Sequence, residues 1–255
     1  MAVLVAVANP KGGVGKSTLV VHLAVWLADH GVRVLVVDGD CRADASRWLG
    51  EKRAVVSGLA RLWRGLTPGA SATVAARWGV HLLPGGPGLE EALSVRSQSP
   101  SPALAGSLQQ LAAVHGIQVL LLDLPPGWGR VSRALLQTGE YLLVPTSLEE
   151  ASLAGLQDLA EMRRKAGAGP RLLGVIPTLV RPRTREHGRQ LIRLVQAFGP
   201  LVWPALPLSI RVAEAAGAGV TVWEGRPGAP VARALATVCE RFVTNLSIKC
   251  KEEMP

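Results

Sequence analysis

Five apolar runs punctuate the chain, spaced widely enough to leave room for helices between them. They are Val3-Leu-Val-Ala-Val7, Val32-Arg-Val-Leu-Val-Val37, Ile117-Gln-Val-Leu-Leu-Leu-Asp123, Glu140-Tyr-Leu-Leu-Val-Pro145 and Leu172-Leu-Gly-Val-Ile176. Alternation of apolar and polar positions is weak in them, so each reads as a strand buried on both faces, the habit of a parallel sheet. Longer segments between them carry helical patterning: Leu19–Ala28, Ala43–Leu49, Val55–Trp63, Ala103–His115, Glu149–Ala166, Arg185–Phe198 and Pro227–Phe242. Val80–Leu83 and Leu201–Trp203 predict two short strands, Thr67–Ser71 a turn, and Ser97–Pro102 a polar linker. Strands alternating with helices predict an α/β fold, a doubly wound and mostly parallel sheet with helices on both faces. The expected organisation is one domain over residues 1–245 with a flexible tail at 246–255.

Between the first strand and the first helix stands Asn9-Pro-Lys-Gly-Gly-Val-Gly-Lys-Ser-Thr18. Strand, glycine-rich turn, Gly-Lys-Ser and helix is the context of a P-loop NTPase. Gly12, Gly13 and Gly15 let the backbone curl closely around a polyphosphate. Val14, Thr18 and the loop N–H groups complete the cradle, and the helix N-terminus adds partial positive charge. Lys16 is placed for the β- and γ-phosphates, and Ser17 offers a hydroxyl to Mg²⁺. Lys11 stands where the usual pattern has its first glycine.

The stretch Lys11-Gly-Gly-Val-Gly-Lys-Ser-Thr18 resembles the deviant Walker A box of the ParA/MinD ATPases, which position plasmids, chromosomes and other cargo. That resemblance implies that Lys11 reaches across a dimer interface to the partner's nucleotide. Asp38-Gly-Asp40 ends the second strand, where ligands of a parallel sheet gather. It is similar to the family's Asp-x-Asp-Pro-Gln, with Cys41 and Arg42 replacing Pro and Gln. The resemblance implies that Asp40 positions the attacking water and that Asp38 supports the metal's water shell; capping of the next turn is the plainer reading of Asp38. Asp123 closes an apolar strand in the Walker B manner, where a carboxylate holds Mg²⁺. Asp123-Leu-Pro-Pro126 resembles the family loop that senses the γ-phosphate, and Pro207 resembles a proline beside the adenine base. The similarity runs from Met1 to about Phe242. By resemblance the chain is an ATPase using ATP and Mg²⁺, slow unless stimulated, that dimerises on ATP. It binds DNA non-specifically and acts with a ParB-like or other cargo-adaptor protein, in a cytoplasmic, nucleoid-associated setting.

Composition narrows the alternatives. A 48% hydrophobic content is ample for a core, and no run approaches the ~18 apolar residues of a membrane helix. The chain goes straight from Met1 into a strand, which predicts no signal peptide. Cys41, Cys239 and Cys250 lack metal-type spacing and suit a reducing compartment. The net charge of +9 is concentrated: Arg163–Arg193 holds nine basic residues and one acid, Glu186, a net of +8. Arg185, Arg189 and Arg193 are four apart and share a helical face, with Leu191, Leu194, Val195 and Phe198 roughly opposite. Such a stripe suits contacts to DNA phosphates, and it is also what a solvated face of an arginine-rich protein looks like. A MinD-like membrane-positioning ATPase is the alternative. It wants a C-terminal amphipathic helix, and the segment after Glu240 is only weakly amphipathic. An iron–sulfur reductase of the nitrogenase iron-protein type would need cysteines at positions these three do not match.

Overall fold

The computed structural model describes residues 1–50, 58–64, 74–94, 101–150, 156, 169–181 and 183–250. Seven strands form one sheet: β1 (Val3–Val7), β2 (Val34–Asp38), β3 (Val74–Ala75), β4 (His81–Leu83), β5 (Val119–Asp123), β6 (Tyr141–Ser147) and β7 (Arg171–Thr178). Their order is β3-β4-β2-β5-β1-β6-β7. Six strands run parallel, and β3 pairs antiparallel with β4 at one edge. The helices are α1 (Lys16–Asp29), α2 (Asp44–Trp48), α3 (Gly58–Trp63), α4 (Leu89–Ser94), α5 (Ser101–His115), α6 (Arg130–Thr138), α7 (Arg185–Phe198), α8 (Ile210–Ala218), α9 (Val222–Gly225) and α10 (Pro230–Leu246).

The continuous apolar runs are explained by burial on both faces. Leu4 and Ala6 of β1, Leu35 and Val37 of β2, and Leu120 and Leu122 of β5 face one layer, which is filled by α3, α5 and α6. Val5, Val7, Val34, Val36, Val119 and Leu121 face the other, filled by α1, α2 and α10. Period-two alternation thus sends every side chain into a core. Helix α1 is buried nearly all round, so it is apolar all round rather than amphipathic.

Register positions the loops. Val7 of β1 and Asp38 of β2 both pair with Asp123 of β5, so the three strands end level. From β1 the chain winds towards β2 and β4, returns to β5, and crosses to β6 on the other side. The reversal at β1 opens a crevice beyond the carboxyl ends of these strands.

Several elements depart from the sequence expectations. Leu201–Trp203 forms no strand; Val202 makes one parallel bridge to Val175 after a 3₁₀ turn at Gly199–Leu201. The prolines at 200 and 204 remove the N–H groups that a longer ladder needs. Helix α6 and strand β3 were not anticipated: α6 hides between two turns, and β3 is two residues long. Helix α10 runs on to Leu246, and Ile248 and Cys250 pack against the α1 layer, where the sequence predicts a flexible tail from 246. The helix expected over Glu149–Ala166 and the turn at Thr67–Ser71 lie largely or wholly outside the described residues. Trp203 lies flat on Gly174 of β7, where a Cβ would approach its ring to 2.2 Å; only glycine leaves room.

One buried polar group ties the helical layer together. His22, in α1, is fully buried. Its Nδ1–H donates to Thr18 O at 2.7 Å, and its Nε2 accepts from the Val222 N–H at 3.2 Å. Trp48 and Trp223 meet it edge-on, with ring centroids 5.3 and 5.2 Å away. Both nitrogens are used by the neutral ring, and burial pushes its pKa down to about 4. The unfolded ring titrates near 6.5, so the stability this neutrality confers is complete above about pH 6.5. It is lost as pH falls from there towards 4, amounting to roughly 3 kcal/mol. Urea unfolding across that range should therefore show a steeper acid loss for the parent than for His22→Gln, by about one proton. Parallel pH profiles for the two proteins would contradict this.

Candidate functional site

The turn after β1 is held in shape by a single asparagine. Buried Asn9 donates from Nδ2 to Pro145 O at 2.9 Å and accepts the Lys11 N–H on Oδ1 at 2.9 Å. Gly13 and Gly15 have φ of 74° and 87°, the left-handed region that a side chain resists. Gly15 leads directly into α1, whose first turn has no capping side chain and no acidic residue. Its N–H groups are therefore presented to the crevice. Thr178 Oγ1 donates to Val14 O at 2.9 Å, fastening the loop to the end of β7. Lys16 folds back over the loop, its Nζ donating to Asn9 O and Lys11 O at 3.0 Å each. Burial lowers its pKa, opposed first by the charge of Asp123 and then by that of Asp40. Lys11, partly exposed, makes an ion pair with Glu149.

Two carboxylates, Asp38 and Asp123, sit side by side at the paired ends of β2 and β5. Asp38 is fully satisfied. Its Oδ1 accepts the Asp40 N–H at 3.0 Å; its Oδ2 accepts the Ser46 N–H at 2.9 Å and the Ser46 hydroxyl at 2.6 Å. It therefore shapes the loop from 38 to 46, the capping role open to it in the sequence. Asp123 is the opposite case. Both its oxygens are buried, and among the described residues neither has a partner in full hydrogen-bond geometry. The Ser17 hydroxyl stands beside it as a donor, and Lys16 and Asp40 act on it electrostatically. Burial and then the neighbouring Asp38 push its pKa well up. A buried carboxylate so short of donors is poorly placed unless a cation or proton joins it.

Close backbone approaches hold these ends together. A Cβ on Gly39 would come within 2.9 Å of Asp123 O and 2.5 Å of Leu135, and one on Gly85 within 2.5 Å of Asp40 O. The Gly39 N–H donates to Asp123 O at 2.9 Å, and the Gly86 N–H to Asp40 O at 3.0 Å. The Gly127 N–H donates to Pro10 O at 2.8 Å, which binds the loop after Asp123 to the loop after β1. Trp128, at that turn, packs partly buried against the α5–α6 layer.

A cleft of about 800 Å³ opens over this arrangement. Gly12, Gly13 and Gly15–Thr18 form its floor, Asp40 and Arg42 one wall, and Trp48 with Ala216–Gly219 the far end. Pro207 lies apart from this lining, in a parallel bridge to Val180. Asp38 and Asp123 are buried and do not line the cleft. Asn9, Ser46, Gly85 and Glu149 escaped the sequence reading. Asn9 adjoins the glycine-rich turn and could have been noticed there; the other three have no local signature.

Helix α7 carries Arg185, Arg189 and Arg193 exposed on one face. Arg189 also approaches Glu186 at 3.7 Å. The backing stripe is narrower than expected. Leu194 is buried and Leu191 and Phe198 are half-buried, whereas Val195 is 47% exposed. Ile192, 60% exposed, stands among the arginines. Leu194, Leu191 and Phe198 pack into the layer that also holds Val144 and Val175, so a narrow apolar row covers the contact.

Comparison with known proteins agrees with this geometry. The CobQ/CobB/MinD/ParA nucleotide binding domain matches residues 5–222. The chromosome-partitioning ATPase Soj of Thermus thermophilus is 33% identical over 249 residues, covering 95% of this chain and 96% of Soj. The chromosome partitioning protein ParA of Caulobacter vibrioides is 30% identical over 230 residues, covering 86% and 85%. Among solved structures, an ATP complex of Cyanothece McdA superposes with a TM-score of 0.85 over 97% of each chain at 21% identity, a likeness of fold. A glycine-rich turn beside two strand-end carboxylates agrees with this match across most of the sequence, and the chain belongs to the CobQ/CobB/MinD/ParA nucleotide-binding domain family.

Proposed function

We propose that the chain is a Mg²⁺-dependent ATPase of the ParA type, which dimerises on ATP, binds DNA without sequence preference and positions cargo with a stimulating partner protein. The observation that carries the nucleotide reading is Asp123, a buried carboxylate short of protein donors, near a turn whose Gly13 and Gly15 adopt the left-handed region. Ser17 and Asp123 would hold Mg²⁺, which supplies positive charge to the β- and γ-phosphates when bound. The residues present fit that ion, since a buried carboxylate flanked by a hydroxyl suits a hard cation.

The remaining roles belong to the chain itself. The N–H groups of Gly12–Thr18 cradle the phosphates, and Lys16 exchanges its two carbonyl acceptors for phosphate oxygens. Asp40, half-exposed in the cleft wall with its backbone pinned by Asp38, orients the attacking water. Asp38 acts through that pinning rather than by direct contact. Lys11 leaves Glu149 to reach the nucleotide of a second copy, so ATP becomes part of the dimer interface. Arg185, Arg189 and Arg193 are doubled by a two-fold dimer, and DNA affinity rises with the number of phosphates neutralised. The ATP state then holds DNA, and hydrolysis releases it. The partition roles of Soj and ParA, by their names, support this reading of cargo.

Three measurements test the proposal. Lys16→Ala should abolish Mg²⁺-dependent ATP binding in titration calorimetry, whereas undiminished affinity would remove the phosphate-cradle reading. Lys11→Ala should bind ATP as a monomer yet fail to dimerise with a non-hydrolysable analogue in light scattering; a normal mutant dimer would restrict Lys11 to its own loop. For DNA, the parent with ATP should bind two unrelated duplexes equally, with log affinity falling against log salt at a slope of roughly −5 if all six arginines engage. Arg189→Glu should weaken both duplexes alike and leave ATP binding unchanged, because phosphates carry no sequence information. Fluorescence anisotropy reads this directly, and a mutant as tight as the parent would reassign the helix.

A further inference from the structure

We infer that Arg42 is a catalytic residue of this chain, an arginine supplied from its own phosphate site that contacts the phosphoryl group being transferred. The inference rests on the ATPase reading above and adds a residue to it. Arg42 lines the same cleft as Asp40, Gly12, Gly13 and Lys16. Its N–H donates to Asp40 Oδ1 at 2.9 Å, so its backbone is locked to the aspartate that orients the water. Its guanidinium is near enough for its charge to act on Lys16. Like charges converge on that space, an arrangement that suits an anion lying between them.

The neighbouring contacts show what holds the guanidinium meanwhile. Arg42 Nη2 donates to Asp44 Oδ2 at 2.8 Å. Arg47 donates to Asp44 Oδ1 and to the Arg42 carbonyl, and it lines the same cleft. One carboxylate thus clasps two arginines at the mouth of the phosphate site. The side chains of Arg42 and Asp44 are 70% and 39% exposed, and an ion pair so open to water is weak. A γ-phosphate offers the planar fork a multiply charged partner with several oxygens, and it outcompetes a solvated carboxylate. A solely structural role, Arg42 as a surface partner for the first turn of α2, accounts for the Asp44 contact but not for its place in the cleft lining within electrostatic reach of Lys16.

The chemistry is balanced without further reagents. The water oxygen bonds to the γ-phosphorus as the bond from that phosphorus to the bridging oxygen breaks. The electron pair stays on the leaving ADP oxygen, and the water proton ends on the released phosphate. Negative charge is redistributed over the transferred oxygens and the bridging oxygen during this exchange. Donors fixed around those atoms stabilise the transition state more than the ground state. Arg42 would be such a donor, and Asp40, fixed to it by one hydrogen bond, would keep water and guanidinium in register.

The test compares the parent with Arg42→Gln and Arg42→Lys. Arg42→Gln should lower kcat roughly 10- to 100-fold. Affinity for a non-hydrolysable ATP analogue should stay within about threefold, the pattern of an interaction made in the transition state. Retention of ADP with aluminium fluoride, read by calorimetry, should fall by about the same factor as kcat. Arg42→Lys should fall between, since it keeps the charge and loses the fork. Arg42→Gln hydrolysing ATP at the parent's rate, or losing analogue affinity as severely as kcat, overturns the assignment and leaves the ATPase reading standing. A parent that binds ATP but never hydrolyses it overturns the ATPase reading and Arg42's role with it. The side chain is exposed, so far-UV circular dichroism of both variants should match the parent.

Discussion

Two carboxylates held side by side under a phosphate-shaped turn set the constraint on which this structure depends. The parallel register of β2 and β5 puts Asp38 opposite Asp123, and burial removes the water that would screen them. Two buried like charges at neighbouring positions are costly. The protein relieves one side only. Asp38 receives three donors from the loop and helix that follow it, whereas among the described residues neither oxygen of Asp123 has a partner in full hydrogen-bond geometry. In the proposed reading Ser17 and Mg²⁺ would complete Asp123, and binding to the folded chain alone would stabilise it.

Around that pair the molecule separates rigid from movable parts. The phosphate turn is fixed from several directions, by Asn9 to β6, by Thr178 to β7 and by Pro10 to the loop after β5. Gly39 and Gly85 permit backbone contacts that any side chain would block. The groups proposed to act on the nucleotide beyond its cradle are more open: Lys11, Asp40 and Arg42 are half-exposed or exposed, and Lys11 and Arg42 are held by single carboxylates, Glu149 and Asp44. Weak solvated ion pairs suit residues that must change partners, whereas buried hydrogen bonds suit residues that must not.

The far end of the cleft is tied to the same framework. His22 joins the first turn of α1 to the start of α9, and Trp48 donates from Nε1 to Val220 O at 2.9 Å while lining the cleft. The wall at Ala216–Gly219 thus stands at a distance set by a neutral histidine and two tryptophans. Pro207 forms a parallel bridge to Val180, just past the end of β7. The exposed Ile192 among the arginines of α7 likewise gives that face an apolar component that a purely cationic stripe would lack.

Much of this was legible in the sequence because its causes are local. Strand burial follows from unbroken apolar runs, the phosphate turn from glycines at fixed spacing before a helix, and the aspartates from their place at strand ends. Those signals predicted the doubly wound sheet and the residues at its carboxyl edge. Tertiary structure decided what depended on neighbours distant in sequence. That Asp38 is satisfied and Asp123 is not turns on Ser46, eight residues on from Asp38, and on a strand register that no local spacing specifies. That Arg42 shares a cleft with the glycine-rich turn follows from the path of one loop past another. Leu201–Trp203 stops at a single bridge because prolines flank it, and Val195 is exposed because only Leu191, Leu194 and Phe198 of α7 reach the core layer. Periodicity reports which residues seek burial; the partner that receives each polar group, and the area available to cover each apolar one, are properties of the assembled fold.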